Sequence, residues 1–285
     1  MATPSATDTV ATAAELRAAL TAWQRMGARV ALVPTMGALH DGHLALVREA
    51  RAKADKVVVS IFVNPTQFAP HEDFARYPRA LPTDRAKLET LGGTDLIYAP
   101  ETGEIYPDGF ATTISVKGPA LGLETDFRPH FFSGVATVVA KLFLQCRPDF
   151  ALFGEKDYQQ LLVVKRLAKD LDLGVEIVPV PTVREKDGLA LSSRNAYLSP
   201  GQRQTAATLN RVLECVAART KAGVSIPQGE AEGAAALIDA GFERVDYVAV
   251  RDASTLAPLH RLEGTARVLA AARLGTVRLI DNRPV

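Results

Sequence analysis

Two cysteines in 285 residues, Cys146 and Cys215, are too few and too far apart for a disulfide framework or a cysteine-rich zinc site. Both lie in apolar helical patterns and are expected to be buried as small hydrophobes. Charge of one sign is also missing: 33 Lys and Arg face 32 Asp and Glu, a formal net charge of +1. A chain so balanced has no field to gather a nucleic-acid backbone or an anionic membrane surface, so neither is an expected partner. No apolar run is long enough to span a bilayer. Met1 to Val10 lacks the basic-then-apolar order of a signal peptide, so a frayed tail and a cytoplasmic protein are expected. No internal repeat or low-complexity tract interrupts the chain.

What the chain does contain is alternation. Ala28 to Val33 reads as a buried strand that Pro34 stops, His43 to Ala50 as a helix, and the β-branched run Lys56 to Val63 as a second strand, a strand-helix-strand unit. Helices are predicted over Ala13 to Met26 and Pro82 to Leu91, a short strand over Asp95 to Ala99, and an extended piece over Thr112 to Lys117. The alternation resumes with a helix from Gly134 to Gln145 capped by Ser133, a strand over Asp149 to Phe153, a helix over Tyr158 to Leu171, and a strand from Val175 to Val183 interrupted near its end by Pro179 and Pro181. This order predicts an α/β fold with a doubly wound parallel sheet, occupying residues 1–184.

Beyond that the texture changes. Ser199-Pro200-Gly201-Gln202 has the layout of a capping box opening a long helix through about Ala217, and a second helix is predicted from Gly229 to Ala240. Three β-rich pieces, Val245 to Arg251, Ala266 to Ala271 and Thr276 to Ile280, suit a small antiparallel sheet. Residues 185–285 are therefore expected to form a smaller α+β domain.

Four polar clusters fall just beyond predicted strands, where a parallel sheet collects ligands and a helix N-terminus offers N–H groups to phosphate. Pro34-Thr35-Met36-Gly37-Ala38-Leu39-His40-Asp41-Gly42-His43 puts two imidazoles three residues apart, with glycines that admit close backbone approach. Asn64-Pro65-Thr66-Gln67-Phe68 offers amides, each both donor and acceptor, suited to a hydroxylated acid; it would equally make a polar turn around Pro65. In Gly154-Glu155-Lys156-Asp157-Tyr158-Gln159-Gln160, Lys156 is badly placed for a helix dipole unless a phosphate binds there, and Gln160 lies one turn on. Leu191-Ser192-Ser193-Arg194-Asn195 offers hydroxyls and a guanidinium, either a phosphate clamp or a polar loop. A transition metal is not expected, because the histidine pair lacks third and fourth ligands.

These four motifs, in this order, resemble those of the pantothenate synthetase (pantoate-β-alanine ligase) family over about Ala13 to Asn282. The first is similar to the HIGH signature of the nucleotidyl-transferring superfamily, and Leu191 to Arg194 to its KMSKS-like loop. The resemblance implies a Rossmann-like, nucleotidylyltransferase-type fold and a two-step ligation: ATP and (R)-pantoate give a pantoyl adenylate and pyrophosphate, and β-alanine then displaces AMP. It implies ATP contacts at Met36, Gly37, Ala38, Leu39, His40, Asp41, Gly42, His43, Gly154, Glu155, Lys156, Asp157, Val183, Leu191, Ser192, Ser193 and Arg194. Gln67, Gln160 and Asn64 would meet pantoate, and Gln67 also β-alanine. His43, His40, Lys156 and Arg194 would be catalytic, with a protonated histidine serving the leaving pyrophosphate. The family uses magnesium with ATP, Asp84 matches an acidic position near that ion, and a homodimer is usual.

Two departures from the family pattern stand out. Arg128-Pro129-His130-Phe131-Phe132 has phenylalanine where the family's histidine usually falls, and Thr66 stands where methionine is common. Two other functions share some of these features: a plain nucleotidylyltransferase, and a nucleotide sensor whose second domain binds a partner. Dependence of pyrophosphate release on pantoate separates them from the ligase.

Overall fold

The computed structural model describes residues 7–69 and 72–285. In chain order the elements are β1 (Asp8–Val10), α1 (Ala13–Arg25), β2 (Val30–Thr35), α2 (Asp41–Lys53), β3 (Lys56–Ile61), α3 (Leu81–Leu91), β4 (Leu96–Tyr98) and α4 (Thr102–Ile105). There follow α5 (Glu124–Phe127), α6 (Phe131–Cys146), β5 (Phe150–Gly154), α7 (Tyr158–Asp170) and β6 (Glu176–Val180). The chain ends with α8 (Pro200–Ala206), α9 (Thr208–Lys221), α10 (Ile226–Asp239), β7 (Arg244–Asp252), β8 (Ala266–Leu274) and β9 (Val277–Pro284).

The residues fall into two compact units. The first takes in Met1–Val116, His130–Glu155 and Val163–Val180; the second takes in Lys117–Pro129, Lys156–Leu162 and Pro181–Val285. A single cut between 184 and 185 divides the two sheets in sequence, but by compactness the chain crosses between units more than once.

The first unit is built on a parallel sheet of order β1-β4-β3-β2-β5-β6. Its central strands read as nearly unbroken Val, Ile, Leu and Ala because helices cover both faces. Ala31, Val33, Val57, Val59, Ile97 and Leu152 are fully buried in one cluster with Leu46, Val47 and Ala50 of α2 and Leu88 of α3. The second unit packs α8, α9 and α10 on the antiparallel sheet β7-β8-β9 through Leu213, Val216, Leu237, Val250, Val268 and Ala270.

Several expectations are corrected. Of the expected tail, Met1 to Ala6 lie outside the described residues, while Asp8–Val10 forms an edge strand parallel to β4. Pro34 does not stop β2: it pairs with Ser60, and on its other side β2 meets β5 only through Ala31 and Leu32, so the missing N–H disturbs no ladder. Pro179 likewise sits inside the edge strand β6. Helix α6 starts two residues before Ser133, at Phe131, and its N-cap His130 makes no side-chain capping bond. The Ser199 capping box does form, with Ser199 Oγ accepting from Gln202 N–H at 3.3 Å and Gln202 Oε1 from Ser199 N–H at 3.0 Å. The helix it opens is interrupted at Ala207, and Cys215 is exposed where burial was expected; only Cys146 is buried, its thiol pushed up to about 12 by the loss of water.

Candidate active site

Strand order reverses between β2 and β5, since the chain runs β2, β3, β4 to one side before crossing to β5 and β6 on the other. The carboxyl ends of these two strands flank the topological switch point of the first unit, where open parallel sheets bind ligands. The β2 end carries the histidine segment and the β5 end carries Gly154 and Glu155.

The histidine segment is held chiefly through its own main chain. Thr35 Oγ1 donates to Ser60 O at 2.8 Å and accepts from Gly37 N–H at 3.2 Å. Gly37 and Ala38 both take left-handed φ, 81° and 51°, which turns the chain sharply into α2. A Cβ on Gly37 would lie 3.0 Å from Asp84 Oδ2 and 3.2 Å from Ile61 Cγ2, so a side chain there would press on both neighbours as well as strain φ. Asp84, buried in the first turn of α3, accepts from Ala38 N–H at 2.9 Å and Leu39 N–H at 2.8 Å, while Lys87 Nζ donates to Leu39 O at 2.6 Å.

His40 is the N-cap of α2 rather than part of its first turn. Its Nδ1 accepts from Gly42 N–H at 3.2 Å, and His43 Nδ1 accepts from His40 N–H at 3.3 Å. The rings are 4.1 Å apart and tilted by 40°. An Nδ1 that accepts a hydrogen bond holds its lone pair, so the proton of each neutral ring sits on Nε2. Two imidazolium rings this close would also repel. With each Nδ1 occupied as an acceptor, Nε2 is the ring atom that each histidine has left to donate.

Beyond β3, Asn64 is buried and its side chain is committed. Oδ1 accepts from Tyr106 OH at 2.8 Å, Thr66 Oγ1 at 2.9 Å and Thr66 N–H at 3.3 Å, and Nδ2 donates to Gly134 O at 3.2 Å. Asn64 thus shapes the 3₁₀ turn Pro65–Gln67 on which half-buried Gln67 stands. Helix α6 comes so close to this turn that a Cβ on Gly134 would lie 2.5 Å from Thr66 O. Tyr106, whose hydroxyl is pushed up by burial, and Gly134 were missed in the sequence. An isolated glycine inside the apolar α6 pattern was the signal available.

In the second unit, Lys156 lies on the 3₁₀ turn Glu155–Asp157, with its ammonium 3.6 Å from Asp157 Oδ1. Gln159 is buried: its Nε2 donates to Pro119 O at 3.0 Å and Gly122 O at 3.1 Å, and its Oε1 accepts from Glu124 N–H at 3.1 Å. Gln160 is only half-buried, so of the two neighbouring amides Gln159 is structural. Leu191 N–H donates to Val183 O at 3.0 Å, and Ser192 Oγ accepts from Arg194 N–H at 3.3 Å, capping the turn Ser193–Tyr197. Val183 and Leu191 are thereby tied together, with Ser193 and Arg194 half-buried on the turn.

Asp84, the residue matched to the magnesium position, has its carboxylate occupied within the first unit. Both carboxylate oxygens are engaged by backbone N–H groups, the residue is buried, and among the described residues no three His, Cys, Asp or Glu gather as metal ligands. These bonds make Asp84 a clamp on the Gly37–Leu39 turn.

Residues 8–284 match the family model described as pantoate-beta-alanine ligase. The chain belongs to the pantoate-beta-alanine ligase family. It is 59% identical over 281 residues to the pantothenate synthetase of Nitrobacter hamburgensis, an alignment covering 98% of this chain and 99% of that one. The crystal structure of pantothenate synthetase from Thermus thermophilus superposes with a TM-score of 0.90 at 52% identity, covering 97% and 98% of the two chains. A pantoate-beta-alanine ligase from Francisella tularensis, solved with beta-gamma ATP and beta-alanine, superposes with a TM-score of 0.83 at 33% identity over 98% and 97%. The family membership fits the α/β fold with its small antiparallel sheet, and Gly37, His40, His43 and Gln67 all stand at strand ends of the first unit.

Proposed function

We propose that this chain condenses (R)-pantoate with β-alanine at the expense of ATP, through a pantoyl adenylate. In the first step a pantoate carboxylate oxygen bonds to the α-phosphorus and the bond from that phosphorus to the pyrophosphate oxygen breaks. In the second the β-alanine amine bonds to the acyl carbon, the carbon–oxygen bond to phosphate breaks, AMP leaves and the amine loses a proton.

The observation that carries the reading is the reciprocal histidine cap at the sheet's switch point. It supports two Nε2–H donors, from His40 and His43, directed to phosphate oxygens as charge shifts towards pyrophosphate. Fixed donors of this kind act without reorganising in the transition state. The segment Met36 to His43 with Gly154 and Glu155 is assigned to the nucleotide from the first unit, and Gln67 to pantoate and β-alanine. From the second unit the reading takes Lys156, Asp157, Val183, Leu191, Ser192, Ser193 and Arg194 for the nucleotide, with Lys156 and Arg194 as cations, and Gln160 for pantoate. Magnesium enters as the counter-ion of substrate ATP and no protein ligand is assigned to it. A cytoplasmic homodimer belongs to the same reading.

The test is pyrophosphate release from ATP and magnesium, with (R)-pantoate present or absent, before and after β-alanine is added. Release that requires pantoate, with sustained AMP formation only after β-alanine, is the expected result. Release independent of pantoate would sink the ligase reading.

A further inference from the structure

Near the end of the chain, Asp281 and Asn282 on β9 are both buried, at 4% and 3% exposure, and their hydrogen bonds lead to two separate polar clusters of the second unit. One arm is Asn282. Its Nδ2 donates to the main-chain carbonyl of Lys156 at 2.9 Å, and its Oδ1 accepts from Arg267. The other arm is Asp281, whose carboxylate takes the guanidinium of Arg184 in two parallel bonds, 2.6 Å to Nη1 and 2.9 Å to Nη2. Arg184 also donates to Gly188 O at 3.0 Å and to Asn282 O at 3.3 Å, and Asn282 N–H donates to Asp281 Oδ1 at 2.7 Å.

Arg184 stands at the root of the loop that carries Ser192 and Arg194. Its main chain bridges Ala190, and the neighbouring Val183 O accepts from Leu191 N–H. Adjacent residues of one strand therefore hold the peptide that carries Lys156 and the base of the Leu191–Arg194 loop. A buried ion pair adds little net stability for its desolvation cost, whereas a bidentate arginine fixes direction.

We infer that Asn282, with Asp281, is a positioning residue for the adenylation step, setting the Lys156 ammonium and the Leu191–Arg194 loop in one frame. Neither touches substrate; each acts through another residue. The inference rests on the proposed assignment of Lys156 and Arg194 to the nucleotide. A lysine ammonium on four rotatable bonds is a useful point charge only if its main chain is fixed, and a displacement of about 1 Å can cost about a hundredfold in rate.

The test is pantoate-dependent exchange of pyrophosphate into ATP, measured on the full chain for Asn282→Asp, Lys156→Ala and the double variant, with thermal unfolding alongside. Asn282→Asp keeps the shape and the acceptor for Arg267 but has no donor for the Lys156 carbonyl. It is expected to lower the exchange kcat by about tenfold with KM for pantoate unchanged. In the Lys156→Ala background it should lower kcat no further, because a residue acting through Lys156 has nothing left to act on. Losses that multiply in the double variant, or an unchanged rate in Asn282→Asp while Lys156→Ala is crippled, overturn this inference alone. Wild-type exchange by Lys156→Ala overturns the nucleotide assignment as well. Should Asn282→Asp not fold, the same cycle with Arg184→Gln and Arg194→Ala decides: non-additive losses support the frame, and additive losses refute it.

Discussion

Between Gly37 and His43 the chain is held by main-chain groups meeting fixed acceptors: Thr35 Oγ1, the Asp84 carboxylate and two imidazole nitrogens. Between Arg184 and Arg194 charge joins the main-chain bonds, through Arg184 on Asp281 and Arg203 on Asp187, each at 2.6 Å. The first arrangement suits donors that must not move when phosphate charge develops, because backbone dipoles do not titrate and are little screened. In the second, the Arg184–Asp281 pair is largely buried and fixes direction, whereas the exposed Arg203–Asp187 pair weakens with salt. The contrast predicts that substitutions in the first segment act mainly on rate, and those in the second on pH and salt response.

The sharpest break comes at His43. His43→Ala removes one phosphate donor and the acceptor for His40 N–H, and should lower pantoate-dependent pyrophosphate release by about a hundred- to a thousandfold. His43→Asn restores an acceptor for His40 N–H but no atom at the place of Nε2. Circular dichroism and thermal unfolding should return to wild type in this variant while the rate does not. Recovery of activity in His43→Asn would show that the cap, not the donor, is what the reaction needs.

Asp84 comes next. Asp84→Asn sets an amide N–H₂ against the N–H groups of Ala38 or Leu39, a buried donor facing a donor, at a cost of about 1–3 kcal/mol in unfolding free energy. Adenylation should fall with it, and raising magnesium from limiting to saturating should not restore the rate. Rescue by magnesium would instead return Asp84 to the metal and undo the clamp.

The histidine cluster was legible as a site because glycines, imidazoles and a strand-to-helix junction coincide in ten consecutive residues, and local chemistry of that kind survives folding unchanged. Asp84 and Asn64 were legible as polar residues but not in their roles. Whether a carboxylate meets a metal or two N–H groups depends on the left-handed turn at Ala38, which nothing in the local sequence demands. The parallel sheet could be read from its apolar runs, whereas β1 could not, since Asp8–Val10 becomes a strand only by pairing with β4. Prolines misled in two places for one reason: Pro34 and Pro179 lie where one side of the strand has no partner to miss their N–H, a property of sheet order rather than of sequence. The frame at Asp281 and Asn282 joins residues about a hundred positions apart and leaves no local signature.

Acid should expose the charged side of the comparison. Burial pushes the Glu124 carboxyl up, but hydrogen bonds and charge from Arg278, at 2.7 and 2.8 Å, together with Tyr247 OH at 2.7 Å, leave it below the ordinary range. With the folded value depressed, the unfolded chain binds the proton more readily. The stability Glu124 contributes is therefore present above about pH 4.3 and is lost as pH falls through the folded value. Glu124→Gln should flatten that part of the stability–pH curve, measured by urea unfolding between pH 3 and 6. An unchanged acid slope would mean that other carboxylates carry it.

The smallest effect is expected where the hydrogen-bond geometry looks strong. Arg203 reaches Asp187 at 2.6 and 3.2 Å and holds its carboxyl below the ordinary range, and Asp187 Oδ1 also accepts from Leu189 N–H at 3.2 Å. Yet the two side chains are 30% and 41% exposed, so water and salt compete for both charges. Asp187→Asn keeps an acceptor for Leu189 and should change stability by no more than about 0.5 kcal/mol, shrinking further in molar salt. If the unfolding midpoint moved as far as for Glu124→Gln, solvent exposure would not be what separates strong from weak charge contacts in this unit. The distinction would then lie in the hairpin that Asp187 closes.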